Sequence, residues 1–277
     1  MRNLFVLVFA CVSVSGQAVV ATTSKNSPLG PDSSWSFVGT MGGASAVAIG
    51  PHTVLTAGHV TASDFHLGSQ TYRFSSSAMA PFVKGQAVDL RVVQLSDTLP
   101  GWYQVAKSVS TKSTVTMVGF GETGVVNSVA SGYAIDAPDS VRRAGQNTIT
   151  SKSTTDRGPS LIAMLDKAGK AALASGDSGG GWFVGGKLVG ISAFTYTKDP
   201  KKPTYGFAKN AYFGSGAIDL TNSALQAWLK GYAGRFLSAL DTSPLDQGHT
   251  QAVPEPTSLA CLFSGGILLT CGRRRRR

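Results

Sequence analysis

The sequence predicts an all-β fold closed by a single C-terminal α-helix. Three observations carry the expectation. From Phe37 onward, short runs of β-forming residues recur between breaks of Gly, Ser, Asn and Pro. Helical periodicity is nearly absent before residue 222. The length of 277 residues suits one domain of about 200 to 250 residues plus processing segments, an ordinary size for a β-barrel unit.

In chain order, Met1 to Ala18 reads as a signal peptide. Arg2 gives it a positive start, Leu4 to Val14 is apolar, and Gly16 and Ala18 supply small residues for a signal peptidase. Residues 19–36 are rich in Ser, Thr, Pro and Gly and are expected to be an irregular lead-in. The main domain is placed at residues 37–240. Its strand-like runs are Ala44 to Ile49, Thr53 to Thr56, Gln70 to Phe74, Leu90 to Leu95 and Thr114 to Val118. They continue with Tyr133 to Ile135, Asn147 to Thr150, Gly181 to Val184, Lys187 to Phe194 and Gly216 to Leu220. Many short strands with turn signals between them indicate a sandwich or a barrel. Behind Thr221-Asn222-Ser223, the residues Leu225, Trp228, Leu229, Tyr232, Phe236 and Leu240 recur three and four apart, which predicts an amphipathic helix over Ser223 to Leu240. A polar linker, 241–252, follows.

The last segment, 253–277, has three parts: Pro254-Glu255-Pro256, an apolar stretch from Leu259 to Cys271, and Arg273 to Arg277. It resembles the PEP-CTERM sorting signal. About 13 apolar residues are fewer than the roughly 20 that span a bilayer, so the stretch fits transient membrane insertion, with the arginines holding the tail on the cytoplasmic side. The resemblance implies an exosortase as processing partner and a cell-surface or secreted product.

The formal charge of +10 does not indicate a nucleic-acid binder. Taking Arg2 and Arg273 to Arg277 from 25 cations and Glu255 from 15 anions leaves 19 against 14, an ordinary surface balance. The three cysteines, Cys11, Cys261 and Cys271, all lie in the terminal segments, so the domain must be stabilised without disulfides. No His/Cys cluster has metal-ligand spacing and no phosphate loop occurs, so neither metal nor cofactor is expected.

Three short stretches carry chemistry. Ser178 lies in Gly176-Asp177-Ser178-Gly179-Gly180, where a glycine-rich turn allows the N–H groups of Gly176 and Ser178 to converge on one oxygen. His59 follows the strand-like run ending in Leu55-Thr56-Ala57-Gly58, and an imidazole there can act as a general base. Asp89 opens the run Leu90 to Leu95 and can orient the imidazole; Asp64 and Asp97 are rivals for that role.

Together these stretches resemble the chymotrypsin/trypsin family of serine peptidases over about residues 37 to 229, in the order histidine, aspartate, serine. Gly42-Gly43-Ala44-Ser45 and Val118-Gly119-Phe120-Gly121 are lesser echoes. The resemblance implies two packed antiparallel six-stranded barrels, with His59, Asp89 and Ser178 as a triad in the cleft between them. It also implies hydrolysis of protein or peptide substrates through an acyl-enzyme. Residues Ala172, Ala193, Thr195 and Gly206 would line the specificity pocket, and the uncharged Ala172 at its base implies an uncharged, small to medium side chain before the cut. Asp177 would pair with a freed N-terminal ammonium, and signal cleavage after Ala18 would offer the one at Val19. The family's disulfides are missing, which leaves the rigidity of the pocket to other means. A second class of function, a catalytically inactive surface or matrix binding protein on the same scaffold, differs in failing to react with a serine-directed probe.

Overall fold

The computed structural model describes residues 20–21, 35–122, 124–128, 132–135, 140–165, 170–196 and 214–232. The segments 1–18, 241–252 and 253–277, and with them the expected signal, linker and sorting segments, lie outside the described residues. In chain order the first strands are β1 (Val20–Ala21), β2 (Val38–Met41), β3 (Ala44–Gly50), β4 (Thr53–Ala57), β5 (Phe65–Leu67), β6 (Gln70–Tyr72), β7 (Phe74–Met79) and β8 (Leu90–Leu95). There follow β9 (Thr114–Gly119), β10 (Gly124–Ser128), β11 (Gly132–Ile135), β12 (Arg143–Thr148), β13 (Ser151–Thr155) and β14 (Gly158–Met164). The last are β15 (Ala171–Ala172), β16 (Gly181–Val184), β17 (Lys187–Tyr196), β18 (Gly214–Asp219) and the helix α1 (Ser223–Tyr232).

Two antiparallel sheets of seven strands each form the barrels, one strand more per sheet than the six that the family resemblance implies. The first runs β6-β5-β2-β3-β4-β8-β7 and the second β12-β9-β16-β17-β18-β14-β13. The extra members are short or polar edge strands such as β6 and β13, whose side chains are mostly exposed. The central strands are the opposite: every residue of β4 and of β18 is buried. A strand enclosed on both faces loses the alternation that marks a half-buried one.

Within the stretch expected to be irregular, Val20–Ala21 forms a strand. It runs parallel to β10 at Val125 and antiparallel to β15 at Ala171–Ala172, giving a four-stranded sheet β11-β10-β1-β15. The core also starts earlier than Phe37, because Trp35 stacks on Phe183 with ring centroids 4.5 Å apart and on Tyr103 at 6.2 Å.

One apolar cluster belongs to both barrels. Val47, Leu55 and Val92 of the first meet Val118, Phe183 and Ile218 of the second, with Leu225 and Leu229 of α1 sealing it. Asn222 caps the helix, its Oδ1 accepting from Ala224 N at 3.1 Å and Leu225 N at 3.4 Å, and Lys230 sits in the last turn where a cation suits the dipole. The expected helix is described as far as Tyr232; residues 233–240 lie outside. Among the described residues no helix is long and apolar enough to cross a membrane.

Leu229 is fully buried at this junction. Leu229→Ala should lower the unfolding free energy by about 2 to 5 kcal/mol, read as a lower urea midpoint at an unchanged m-value.

Candidate active site

Strand pairing brings the first two site residues together. In the register of β4 with β8, Ala57 faces Leu90, so the residues just after the one and just before the other are neighbours. His59 N donates to Asp89 Oδ1 at 2.8 Å, and His59 Nδ1 lies 2.8 Å from Asp89 Oδ2. Burial acts to raise the Asp89 pKa, yet the bonds and charge of His59, helped by Arg157, hold it below its ordinary value. An ionised carboxylate only accepts, so Nδ1 carries a proton, and in the neutral form of the ring Nε2 is then the acceptor. That Nε2 stands 2.9 Å from Ser178 Oγ, which reaches it from the second barrel.

The loop presenting Ser178 has two glycines in the left-handed region, Gly176 at φ 88° and Gly179 at φ 87°. A β-carbon on Gly179 would sit 2.0 Å from Ser45 O. The N–H groups of Asp177, Gly179 and Gly180 donate to Ala174 O, Ser192 O and Asp177 O at 3.2, 2.8 and 2.8 Å. Those of Gly176 and Ser178 donate to no group among the described residues. Two amides flanking the serine are thereby available to an oxygen from outside.

Ser45, at the start of β3, fastens this loop to the first barrel. Its N–H donates to Ser178 O at 2.9 Å, its Oγ donates to Gly176 O at 2.8 Å, and the same Oγ accepts from Phe120 N at 2.9 Å. Thr56 Oγ1 donates to Ser45 O at 2.8 Å. The sequence marked Ser45 only as the last residue of the Gly42-Gly43-Ala44-Ser45 echo, with no role attached.

Asp177 points the other way, into the second barrel, and is fully buried. Its Oδ1 accepts from Gly121 N at 2.9 Å and its Oδ2 from Ala174 N at 2.8 Å. β-Carbons on Gly119 and Gly121 would meet this carboxyl at 2.2 and 2.5 Å, so Val118-Gly119-Phe120-Gly121 exists to make room for it. Burial pushes its pKa up to about 7, only partly offset by the two N–H groups and by Arg143, while Glu122 pushes it further up. The chain at Val20–Ala21 runs beside Ala171–Ala172, the strand that leads into this loop; Val19 lies outside the described residues.

Of the expected pocket residues, Ala172, Ala193 and Thr195 are buried on β15 and β17, and Gly206 lies outside the described residues. A cavity of about 470 Å³ opens beside Gly176, lined also by Met41, Ala44, His66, Phe120, Glu122 and Ser175 and by none of the expected pocket residues that are described. The rival aspartates are engaged elsewhere: Asp97 holds Arg73 at 2.8 Å, and Asp64 accepts from Phe74 N at 2.8 Å. Among the described residues no group of three His, Cys, Asp or Glu side chains is placed to hold a metal ion.

Two barrels joined along a seam, with histidine and aspartate on one and serine on the other, define the chymotrypsin-like class of fold. The family model described as Trypsin matches residues 26–213, and the chain belongs to the trypsin family. Among solved structures it is similar to neuropsin, a serine protease expressed in the limbic system of mouse brain, at 16% identity, 75% of this chain, 98% of that chain and a TM-score of 0.55. Human heparin binding protein is similar at 15% identity, 75% of this chain, 95% of that chain and a TM-score of 0.51. No curated protein matches the chain.

A carboxyl that ionises at higher pH folded than unfolded binds its proton more tightly in the fold. Its stabilising contribution is complete below the ordinary carboxyl value and is lost as the pH rises to about 7. With no N-terminal ammonium paired to Asp177, the melting temperature of the wild type relative to that of Asp177→Asn should therefore fall as the pH rises from about 4 to about 7.

Proposed function

We propose that the chain is an exported serine endopeptidase working through a Ser178-His59-Asp89 triad. The observation that carries the reading is the unbroken relay from Asp89 Oδ2 to His59 Nδ1 at 2.8 Å and from His59 Nε2 to Ser178 Oγ at 2.9 Å, beside two amides that have no acceptor among the described residues. In this reading Ser178 Oγ bonds to the peptide carbonyl carbon while its proton passes to Nε2. The carbonyl oxygen becomes an anion held by the N–H groups of Gly176 and Ser178, which form the oxyanion hole. The imidazolium, stabilised by Asp89, then gives its proton to the leaving amine as the C–N bond breaks. Water, activated by the same ring, releases the acyl group and restores the serine.

Ala172, Ala193, Thr195 and Gly206 form the specificity pocket in this proposal, and none of the four carries a charge. Asp177 is the activation partner, taking an N-terminal ammonium after processing; N-terminal sequencing of the mature protein that begins away from Val19 removes that part. Residues 1–18 and 253–277 supply export and sorting, with signal peptidase and an exosortase as partners.

A fluorophosphonate probe should label the folded wild type and not Ser178→Ala, and that substitution should lower kcat by at least about 10⁴-fold. Folded wild type that does not label favours a binding role on a peptidase scaffold. A peptide-library digest should show cleavage after uncharged, small to medium residues, and a dominant preference for Arg there would remove the pocket assignment.

A further inference from the structure

The triad aspartate has a second cation beside it. Asp89 belongs to the first barrel, but the turn between β13 and β14 of the second barrel reaches across to it. Arg157 Nη1 lies 3.2 Å from Asp89 Oδ2, the oxygen that His59 Nδ1 also approaches at 2.8 Å. The backbone repeats the contact, since Asp89 N donates to Arg157 O at 3.0 Å.

The turn that carries Arg157 is braced for this position. Arg157 N donates to Thr155 Oγ1 at 3.1 Å, and Thr155 Oγ1 also meets Gly158 O at 3.3 Å and Ser160 Oγ at 3.0 Å. Gly158 takes φ 99°, and a β-carbon there would come 3.0 Å from Val88 Cγ2. The Arg157 side chain is about one third exposed and that of Asp89 is 7% exposed, so solvent screens the pair only in part.

We propose that Arg157 is a positioning residue of the triad: it ties Asp89 across the seam between the barrels and, by sharing Oδ2, opposes protonation of the His59 ring. The proposal rests on the triad reading. With the ring neutral, the Arg157–Asp89 pair has no net charge; protonating the ring adds a second cation to one carboxylate oxygen. Coulomb repulsion between two donors on one oxygen then favours the neutral ring, which keeps Nε2 able to accept the serine proton at lower pH. Other ionisable groups on the surrounding elements include Arg91 of β8, Asp156 in the same turn, Asp177 of the serine loop and Lys152 of β13, which pairs with Asp219 at 3.3 Å. Arg91 donates to Gly58 O at 3.0 Å and Ser77 Oγ at 3.2 Å, and Asp177 is bonded to Gly121 and Ala174.

The test follows the His59 ring protons by NMR against pH in wild type, Arg157→Gln and Arg157→Lys, with the signal assigned by its loss in His59→Ala, and compares kcat/KM profiles of the same proteins. Arg157→Gln keeps polar reach and removes the charge; its ring should titrate roughly half to one pH unit higher than wild type, with the acidic limb of kcat/KM moving equally. Arg157→Lys, which keeps the charge, should stay nearer the wild type. A ring midpoint in Arg157→Gln equal to or below that of wild type, with unchanged circular dichroism, overturns the proposal. The ring signal is read whether or not the chain cleaves peptides. A shift in a chain that neither labels nor cleaves removes the peptidase reading and leaves the coupling. Activity without a shift removes the coupling and leaves the reading.

Discussion

The grip of Ser45 on the serine loop is the contact on which the site geometry depends. Two carbonyls of that loop, at Gly176 and Ser178, are drawn onto the first barrel by one residue, through its hydroxyl and its N–H. The peptide planes that carry the Gly176 and Ser178 amides are held by their own carbonyls, Ser175 O accepting from Glu122 N at 2.6 Å and Asp177 O from Gly180 N at 2.8 Å, while Ser45 fixes the plane that follows each of them. The same contact sets the distance between the barrels at the point where the imidazole meets the hydroxyl. Ser45 is completely buried, and losing its hydroxyl would remove its bonds to the partly buried Gly176 O and Phe120 N, at about 0.5 to 1.5 kcal/mol each.

Around this contact, two aspartates are driven in opposite directions. Asp89 has hydrogen bonds from a ring, a backbone N–H and a guanidinium, and these outweigh its burial. Asp177 has two backbone N–H groups but is enclosed completely, and burial wins. The first is kept ionised, as an orienter of the imidazole must be. The second tends toward its neutral form unless a cation is brought to it, which makes the serine loop sensitive to what occupies the space near Arg143, Gly119 and Gly121. Identical side chains acquire separate tasks from their surroundings alone.

How far the sequence revealed this depends on whether a residue's role is local. The runs Leu90 to Leu95 and Gly181 to Val184 coincide with β8 and β16, because dense apolar residues bounded by polar ones define them. β7 and β13 escaped notice because Phe-Ser-Ser-Ser-Ala-Met and Ser-Lys-Ser-Thr-Thr have no buried face to advertise. β12 was expected four residues late, since buried Arg143 and Gly145 do not look like strand interior. His59 was legible because Gly58 precedes it: a β-carbon there would come 2.9 Å from Asp89 Oδ1, so the motif itself encodes the approach of the carboxylate. Arg157 was not legible. Its partner lies 68 residues away in the chain, and an arginine in a turn reads as solvated surface until the fold supplies the carboxylate.

The absence of cysteine from the domain is answered by the same kind of buried polar contact. Asn147 Nδ2 donates to Ala171 O at 2.7 Å and to Met164 O at 3.1 Å, Ser215 Oγ accepts from Leu173 N at 2.9 Å, and Asp177 Oδ2 accepts from Ala174 N at 2.8 Å. The segment entering the serine loop is thus held at Ala171, Leu173 and Ala174 by three side chains that are each at most 3% exposed. Each such bond contributes about 1 kcal/mol net, so the set matches the roughly 2 to 5 kcal/mol that one disulfide supplies to a small domain. The two devices differ in kind. A disulfide acts largely by restricting the unfolded chain, whereas these bonds exist only in the fold and leave unsatisfied partners when any one is lost. Rigidity of the loop is therefore a collective property of the barrel interior, and a substitution at Asn147 or Ser215 would reach the serine through the backbone without touching it.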